Sequence, residues 1–225
     1  HNIPKAPMHN IIVTENGFSA EVISVVIKLK GKESHASEPE NGINPAVAIS
    51  ELIQAIAKLN VSDVSHPNYA IITLVHINMG QKSYGISPAQ GELHYTLRTW
   101  STSKMDELKS NLEDLVRSTS HQHKLQYALE WLEHFPASTL DKESNALVKH
   151  AAEANNYNIL ERKTPFKFGE DFGWFSKKYK TAMFGIGAGE STPALHHADY
   201  DFPDELLATG FSMFKAILIH LLQKA

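Results

Sequence analysis

The chain has 225 residues, of which 42% are hydrophobic and 20% are charged, so it contains enough apolar material for one or two globular domains. Its formal net charge of −4 gives no sign of a nucleic-acid partner, and the absence of cysteine excludes disulfides and thiolate metal sites. No stretch of sequence approaches the length of a membrane span, and the first residues show no signal-peptide pattern. We therefore expect a cytoplasmic protein with no membrane partner.

Residues 18–133 have the pattern of a ferredoxin-like β-α-β-β-α-β domain. Alternating apolar residues predict four strands, and apolar residues spaced at i, i+3, i+4 and i+7 predict two helices. At the start of the second helix, Ser103 followed by Asp106 resembles a capping arrangement. The strands are predicted around residues 23–29, 71–78, 93–97 and 125–131, and the helices around 49–56 and 105–116.

Residues 1–17 and 134–225 have a different character, which is that of an α/β layer. The pattern predicts a short buried strand at 11–13, helix at 145–155, a buried strand at 181–186 and an apolar helix from Pro203. The last helix is expected to bury Leu206, Met213, Phe214, Ile217 and Leu221. The fold class is therefore α/β (α+β), with the ferredoxin-like domain inserted in part of an α/β domain whose other strands lie elsewhere.

The segment 195–204 places two histidines and three aspartates directly before the last helix. Histidine and carboxylate are ligands that zinc and similar metals favour, and a neighbouring carboxylate commonly orients a ligating imidazole. The same residues would also suit a solvated loop in which Asp201 caps the helix and Asp204 interacts favourably with the helix dipole. Taken alone, the segment leaves both interpretations open.

Three other places carry side chains that can do chemistry, and each has an ordinary alternative. His35 lies in a loop of small residues, where a histidine is usually just exposed to solvent. Arg98 lies on the polar face of its strand, where it could bind a carboxylate or form a surface ion pair. Glu170 and Asp171 are adjacent carboxylates that would also suit the start of a helix. The sequence contains no nucleophile elbow, phosphate loop or dinucleotide fingerprint.

Taken together and in this order, these motifs resemble those of the aminoacylase and carboxypeptidase G type of metallopeptidases. The most similar branch is the amidohydrolases that include hippurate hydrolase and the plant indole-acetyl-amino-acid hydrolases. The resemblance runs over almost the whole chain, through His1-Asn2-Ile3-Pro4, Gly31-x-x-x-His35-Ala36-Ser37, Asn44-Pro45-Ala46, Thr96-Leu97-Arg98, Glu170-Asp171-Phe172 and Leu195-His196 with Tyr200-Asp201-Phe202.

The resemblance implies hydrolysis of the amide bond of a small N-acyl amino acid or peptide by a water molecule that two divalent ions, zinc or manganese, activate. His1 and His196 correspond to metal ligands of the family. Glu170 and Asp171 correspond to a segment beside the metal site, where they would support the ligands. Residues 1–17 and 134–225 would then be parts of the catalytic domain.

The resemblance also assigns residues 18–133 to a dimerisation or lid domain, which implies a homodimer. His35 corresponds to the histidine that stabilises the oxyanion in the active site of the partner subunit. Arg98 corresponds to the arginine associated with the carboxylate of the substrate. The alternative is that the ferredoxin-like domain is part of a non-catalytic module that mediates only dimerisation or binding.

The sequence departs from the family pattern in three places. Gly85-Ile86-Ser87-Pro88 stands where the family usually has Asn-Val-Ile-Pro, so an asparagine that would help to bind the substrate or oxyanion is missing. Lys5 occupies a place where glycine is common. The first half of the family's catalytic domain, with further metal ligands and the glutamate that acts as general base, has no counterpart here. We expect these residues to be the C-terminal part of an enzyme, inactive alone.

Overall fold

A computed structural model describes residues 1–223 and divides them into two compact units. The first unit contains His1–Ser19, Ser138–Phe166 and the described chain from Phe172 onward. The second unit contains Ala20–Ala137 and a return segment, Lys167–Asp171. The predicted mixed α/β fold class is confirmed, and each unit has its own sheet and its own apolar core.

The described chain contains ten strands, five α-helices and one 3₁₀ helix at Pro39–Asn41. The strands are β1 (Asn2–Ile3), β2 (Ile11–Thr14), β3 (Glu21–Lys30), β4 (Ser34–His35), β5 (Ala70–Met79), β6 (Ile86–Ser87), β7 (Gln90–Thr99), β8 (Gln126–Phe135), β9 (Ile159–Arg162) and β10 (Gly185–Gly187). The helices are α1 (Ala46–Ala57), α2 (Thr102–Gln122), α3 (Lys142–Ala154), α4 (Gly173–Ser176) and α5 (Leu206–Gln223).

The second unit has the predicted β-α-β-β-α-β order, with a four-stranded antiparallel sheet arranged β5-β7-β3-β8. The alternating apolar residues of β3 and β7 point into one core together with the apolar stripes of α1 and α2. Because both strands and helices bury one face in this core, the apolar residues alternate in the strands and recur at helical spacing in the helices. The buried residues of the two helices are Ala48, Ile49, Leu52 and Ile56 in α1, and Met105, Leu108, Leu112, Val116 and Ser120 in α2.

The cap of α2 differs from the prediction. Ser101 has an extended backbone, and its hydroxyl accepts a hydrogen bond from the backbone N–H of Lys104 at 3.3 Å. Ser103 lies inside the first turn, because the helix already begins at Thr102. A side-chain cap accepts from the second or third residue of the helix, so Ser101 is the capping residue and the prediction of Ser103 was wrong.

The first unit is built on a second four-stranded sheet with the order β1-β10-β2-β9. Helix α3 contacts β2, and α5 contacts both α3 and β10, so the two helices lie side by side on the sheet. The strand predicted at 181–186 is shorter than expected, since only Gly185–Gly187 pairs with neighbours. Strand β9, which pairs with β2 in parallel, has no counterpart among the predicted elements.

Helix α5 differs from the prediction in what it buries. Leu206 and Met213 are buried, but Phe214 is 60% exposed and Leu221 is 50% exposed, so these two assignments were wrong. The 18 residues of Leu206–Gln223 are also long and apolar enough to cross a membrane by length and composition. The expectation that no stretch approaches that length was therefore wrong as well.

Candidate functional site

His35 lies on an exposed two-stranded ribbon at the end of the sheet in the second unit. Strands β4 and β6 pair antiparallel with His35 opposite Ile86, and the backbone N–H of Ala36 donates to the carbonyl of Gly85 at 3.0 Å. Gly31 precedes the ribbon, and a Cβ atom at this position would lie 1.9 Å from the carbonyl oxygen of Ile43. Only glycine therefore permits this close approach. The loop of small residues predicted around His35 includes a short strand that pairs with β6.

Hydrogen bonds define the tautomer of the His35 ring. The backbone N–H of Ser37 donates to Nδ1 of His35 at 3.2 Å, and the Ser37 hydroxyl lies 2.6 Å from the same nitrogen. Because a backbone N–H can only donate, Nδ1 is an acceptor, and the neutral imidazole then carries its proton on Nε2. The ribbon therefore presents an imidazole N–H donor, which is the kind of group that stabilises an oxyanion.

Arg98 lies at the opposite end of the same sheet and contacts the return segment. One guanidinium nitrogen donates to the backbone carbonyl of Lys167 at 2.8 Å. In the same segment, Gly169 lies so close to the sheet that a Cβ atom there would be 2.8 Å from the side chain of Val22, the ladder partner of Arg98. Within residues 1–223, Arg98 forms no ion pair, so its charge can act on a carboxylate from outside the described chain.

The carboxylate pair Glu170-Asp171 lies at the end of this return segment. Burial raises the pKa of Glu170 above its usual value, and the adjacent carboxylate of Asp171 raises it further. The pair directly precedes the short helix α4, which begins at Gly173 with Phe172 at its cap position, so a place beside a helix start is observed. The second unit thus brings Arg98 and the carboxylate pair to the same end of one sheet.

The positions of His35 and Arg98 exclude a shared site within one copy of the second unit. Arg98 pairs with Val22 near the start of β3, whereas the ribbon that carries His35 follows Lys30 at the end of β3. A rise of about 3.3 Å per strand residue puts roughly 25 Å between the two ends of this strand. A small substrate cannot touch both side chains of the same chain.

In the first unit, His1 directly precedes β1, the strand at the edge of the sheet. Nδ1 of His1 lies 2.7 Å from the backbone carbonyl of Asn2. A carbonyl oxygen can only accept, so Nδ1 carries a proton, and the neutral ring has its lone pair on Nε2. Metal-ligating histidines commonly donate their second nitrogen to a backbone carbonyl in this way.

His196 lies in the exposed loop between β10 and α5. Its φ angle of 66° is in the left-handed region, which is uncommon for residues other than glycine and concentrates at functional sites. The adjacent His197 belongs to a local turn, because its Nδ1 accepts a hydrogen bond from the backbone N–H of Asp199 at 3.2 Å. Asp201 does not cap α5, since this helix begins at Leu206.

Two residues to which sequence analysis gave no role connect the segments of the predicted metal ligands. The side-chain amide of Asn2 donates a hydrogen bond to the hydroxyl of Tyr200. Asn2 follows His1 directly, and Tyr200 lies in the same loop as His196. The motifs containing both residues were recognised from the sequence, but their pairing depends on the parallel pairing of β1 with β10, which brings the chain start to this loop.

The donor types in the first unit fit zinc or manganese, but their number is too small for a complete site. Residues 1–223 contain no group of three or more histidine, aspartate or glutamate side chains placed to hold a metal ion. A catalytic zinc usually has three protein ligands. His1 and His196 can therefore supply only part of a metal site.

Comparison with known proteins agrees with this architecture. Residues 21–124 match the peptidase dimerisation domain, so the second unit is a domain of this class. The chain is 29% identical over 220 residues to N-acetyldiaminopimelate deacetylase of Bacillus licheniformis, covering 96% of this chain and 57% of that protein. It is 24% identical over 224 residues to N-acetylcysteine deacetylase of Bacillus subtilis, covering 99% of this chain and 58% of that protein.

A crystal structure of a dinuclear metal-binding peptidase of the M20 family from Bacillus subtilis has the same fold as this chain. The two structures superimpose with a TM-score of 0.80 at 20% sequence identity. The match covers 100% of this chain and 56% of the chain of the peptidase. The resemblance to the aminoacylase and carboxypeptidase G type of metallopeptidases is therefore confirmed, and the relatives are M20 amidohydrolases. The chain spans a little more than half the length of the curated relatives it matches.

Proposed function

We propose that this chain is the C-terminal part of a metal-dependent amidohydrolase that cleaves the amide bond of N-acyl amino acids or small peptides. The hydrogen bond between Asn2 and Tyr200 carries the proposal, because it ties together the two segments that hold His1 and His196. The names of the relatives, which are deacetylases of acetylated amino acids, favour a small N-acetyl substrate.

His1 and His196 would contribute imidazole ligands to a pair of divalent ions, zinc or manganese. Bound there, such ions would supply an activated water molecule and polarise the amide carbonyl. In the neutral ring of His1 the lone pair is on Nε2, so this nitrogen is the one suited to ligation. The further ligands and the general base would come from a part of the catalytic domain that these residues do not include.

The second unit would bind the substrate and stabilise the oxyanion. His35 would donate its Nε2–H to the oxyanion that forms from the amide carbonyl oxygen, and Arg98 would bind the carboxylate of the substrate with its outer nitrogens. Because His35 and Arg98 lie at opposite ends of one sheet, one active site would use Arg98 of one subunit and the histidine ribbon of the other. A homodimer is therefore part of the proposed mechanism.

Strand β5 is the edge at which we expect the two copies to pair. It has ten residues without a charged residue or proline, and Val75 and Ile77 are 57% and 47% exposed. Natural edge strands that do not pair are usually protected by charges, proline or bulges. Both edge strands have a register irregularity beside their inner neighbour, so the edges differ in charge, which β8 carries at Glu130 and Glu133 and β5 lacks. The pairing of β5 with its copy would extend the sheet to eight strands.

The proposed pairing is tested by charge insertion in the full-length gene product. Ile77→Lys on β5 should convert a dimer to a monomer, whereas Tyr127→Lys, a matched exposed residue on β8, should leave the dimer intact. Mass measured by light scattering after size exclusion gives the answer. A dimer that survives Ile77→Lys but dissociates with Tyr127→Lys would place the interface on the other edge.

The catalytic proposal is tested with the full-length gene product, manganese or zinc, and a panel of N-acetyl amino acids and dipeptides. His196→Ala should lose bound metal and activity, His35→Ala should keep metal and lose about 100-fold or more in kcat, and His197→Ala should resemble the parent. Mixed dimers of the His35→Ala and His196→Ala subunits should regain activity, because one intact site forms between them. A parent that binds no metal and hydrolyses nothing would favour the non-catalytic binding module instead.

A further inference from the structure

A pair of histidines lies between the two long helices of the first unit. The rings of His150 on α3 and His220 on α5 meet edge to face, with their centroids 5.0 Å apart and their planes at 62°. His150 is exposed and His220 is half-buried, so the pair lies at the surface. The proposed function gives neither residue a role, although imidazole is the side chain that most often ligates metals in proteins.

The two helices that carry this pair are held in place by packing on their other sides. Val148 and Ala151 of α3 are buried in the same core as Leu206 and Met213 of α5, and the two helices contact each other. The core therefore sets the spacing between the two histidine backbones before any ligand arrives. Side chains on packed helices hold a ligand geometry more closely than side chains on loops do.

The distance between the two rings matches that of a pair of metal ligands. When two imidazoles bind one zinc ion tetrahedrally through Zn–N bonds of about 2.1 Å, their ring centroids lie about 5 Å apart. The torsion next to a histidine ring is broad, so each ring can turn to aim a nitrogen at a common ion. Imidazole nitrogen suits zinc, copper and nickel, whereas calcium and magnesium prefer oxygen ligands.

An open groove beside the rings gives an ion access to them. It has a volume of about 650 Å³, and Asp141, Glu143 and Lys180 are among the residues that line it. Lys180 pairs with Glu143 at 2.8 Å. Hydrogen bonds from the backbone N–H and the hydroxyl of Ser144 lower the pKa of Asp141, so this carboxyl stays ionised at neutral pH. Two carboxylates against one ammonium favour a cation over an anion in the groove.

We propose that His150 and His220 bind one divalent ion of the zinc, copper and nickel class, which then joins α3 to α5. Within residues 1–223, no third histidine, aspartate or glutamate completes a group with the two rings, so water would occupy the remaining positions of the ion. The ion should therefore be held less tightly than in a site with three or four protein ligands.

The proposal does not rest on the proposed function, because the pair shares no residue with the segments of His1 and His196. His220 lies near the end of α5, about 21 Å along the helix from Leu206, whereas the loop of His196 precedes this helix. An ion on the histidine pair would therefore be counted in addition to any ion that His1 and His196 help to bind.

Bound zinc is counted in the full-length gene product, which is stripped of metal and dialysed against increasing concentrations of free zinc. The parent should bind one ion per chain more than His150→Ala or His220→Ala does. His121→Ala removes another exposed histidine near the end of a helix, so it is the matched control and should bind as many ions as the parent. Equal counts in the parent, His150→Ala and His220→Ala would overturn the proposal and leave a ring contact only. A lower count in His121→Ala as well would show nonspecific binding to exposed histidines and would also overturn it.

A second variant tests whether both residues ligate the same ion. His150→Cys replaces one imidazole with a thiolate, another zinc ligand, so this variant should keep the additional ion that His150→Ala loses. With cobalt, we expect a thiolate-to-cobalt charge-transfer absorption that the parent lacks. Adding His220→Ala to His150→Cys should raise the cobalt concentration needed for this absorption at least tenfold. An unchanged titration would show that His220 is not a ligand and would overturn the proposal.

Neither measurement depends on catalysis, so the outcomes for the histidine pair and for the proposed function are separate. An inactive parent that binds the additional ion would refute the proposed function and support this inference. An active parent whose ion count is the same as that of His150→Ala would overturn this inference and leave the proposed function standing.

Discussion

Asn2 and Tyr200 are separated by 198 positions in the sequence and joined by a hydrogen bond from the amide of one to the hydroxyl of the other. The bond fixes the loop of His196 to the strand segment that begins at His1. Groups that orient metal ligands from outside typically change metal affinity by 10–100-fold when they are lost. Neither Asn2 nor Tyr200 is among the predicted metal ligands, so a change at either is expected to act by moving the segments that carry His1 and His196.

Tyr200→Phe removes the hydroxyl and keeps the ring. In the full-length gene product, we expect metal affinity to fall by about 10-fold or more, with kcat falling once the metal is no longer saturating. Titration of the metal-free protein with zinc or manganese measures the change. Tyr179→Phe, at an exposed position of the same unit, is the control and should change nothing. An unchanged metal affinity in Tyr200→Phe would remove the support that this bond gives to the proposed function.

The ring of His35 gives a prediction that needs no activity. Because the backbone N–H of Ser37 donates to Nδ1, we expect the neutral ring to be protonated at Nε2. Nitrogen-15 NMR of the ring distinguishes the two tautomers directly. Ser37→Ala removes the hydroxyl but keeps the backbone N–H, so it should leave the tautomer unchanged. A proton found on Nδ1 in the parent would show that His35 does not present the donor that the oxyanion role requires.

The start of α2 gives a paired test of stability. Ser101→Ala removes the side chain that accepts from Lys104 N–H and should cost about 1 kcal/mol of unfolding free energy. Ser103→Ala lies at an exposed position within the first turn of the same helix and should be neutral or slightly stabilising, because alanine is the better helix former. Urea unfolding of the two variants beside the parent measures both. A larger loss for Ser103→Ala would restore the cap that the sequence pattern suggested.

The fold of the second unit could be predicted because its strands and helices are long and each has one buried face. In β3, β7, α1 and α2 the periodicity of the apolar residues repeats several times, and the structure buries these residues in one core. The capping residue Ser101 was not predicted, because apolar periodicity does not mark the first residue of a helix. A helix start is fixed by which backbone groups lack partners, and the sequence offers two serines two positions apart at this start.

Sequence patterns could not predict the shortest strands, and they could not predict which apolar residues of α5 are buried. The β4–β6 ribbon has two residues in each strand and β9 has four, which is too few for a period of two to show. In α5, the apolar residues Phe214 and Leu221 predicted burial, but a pattern of apolar residues does not say whether the covering partner is in the same stretch of chain. The bond from Asn2 to Tyr200 depends on tertiary contacts alone.

Lys5 offers a test of backbone strain. Its φ angle of 63° is in the left-handed region, and its N–H donates to the carbonyl of Gly189 at 2.9 Å, so the turn is held in place. This conformation costs a residue with a side chain about 1–2 kcal/mol, whereas glycine adopts it freely. Lys5→Gly should therefore raise the unfolding free energy by up to about 1 kcal/mol, after the greater flexibility of unfolded glycine is subtracted. Lys163→Gly, outside the left-handed positions, should be neutral or destabilising in the same urea titration.

Glu170 links the local environment of the return segment to the pH dependence of stability. Burial raises the pKa of its carboxyl, and the adjacent Asp171 raises it further, so the folded protein holds this proton more tightly than the unfolded chain does. The stabilising contribution of such a group is fully present below the unfolded pKa of about 4.3 and is lost as the pH rises through the higher folded pKa. The parent should therefore lose this contribution between acidic and neutral pH.

Glu170→Gln cannot lose a proton, so its stability relative to the parent should increase as the pH is raised from about 4 to about 7. Urea midpoints of parent and variant at a series of pH values give this difference directly. Glu153→Gln, at an exposed position on α3, is the control, and its difference from the parent should change less over the same range. A difference for Glu170→Gln that stays constant, or that turns against the variant at neutral pH, would show that the carboxylate is stabilised rather than penalised where it lies.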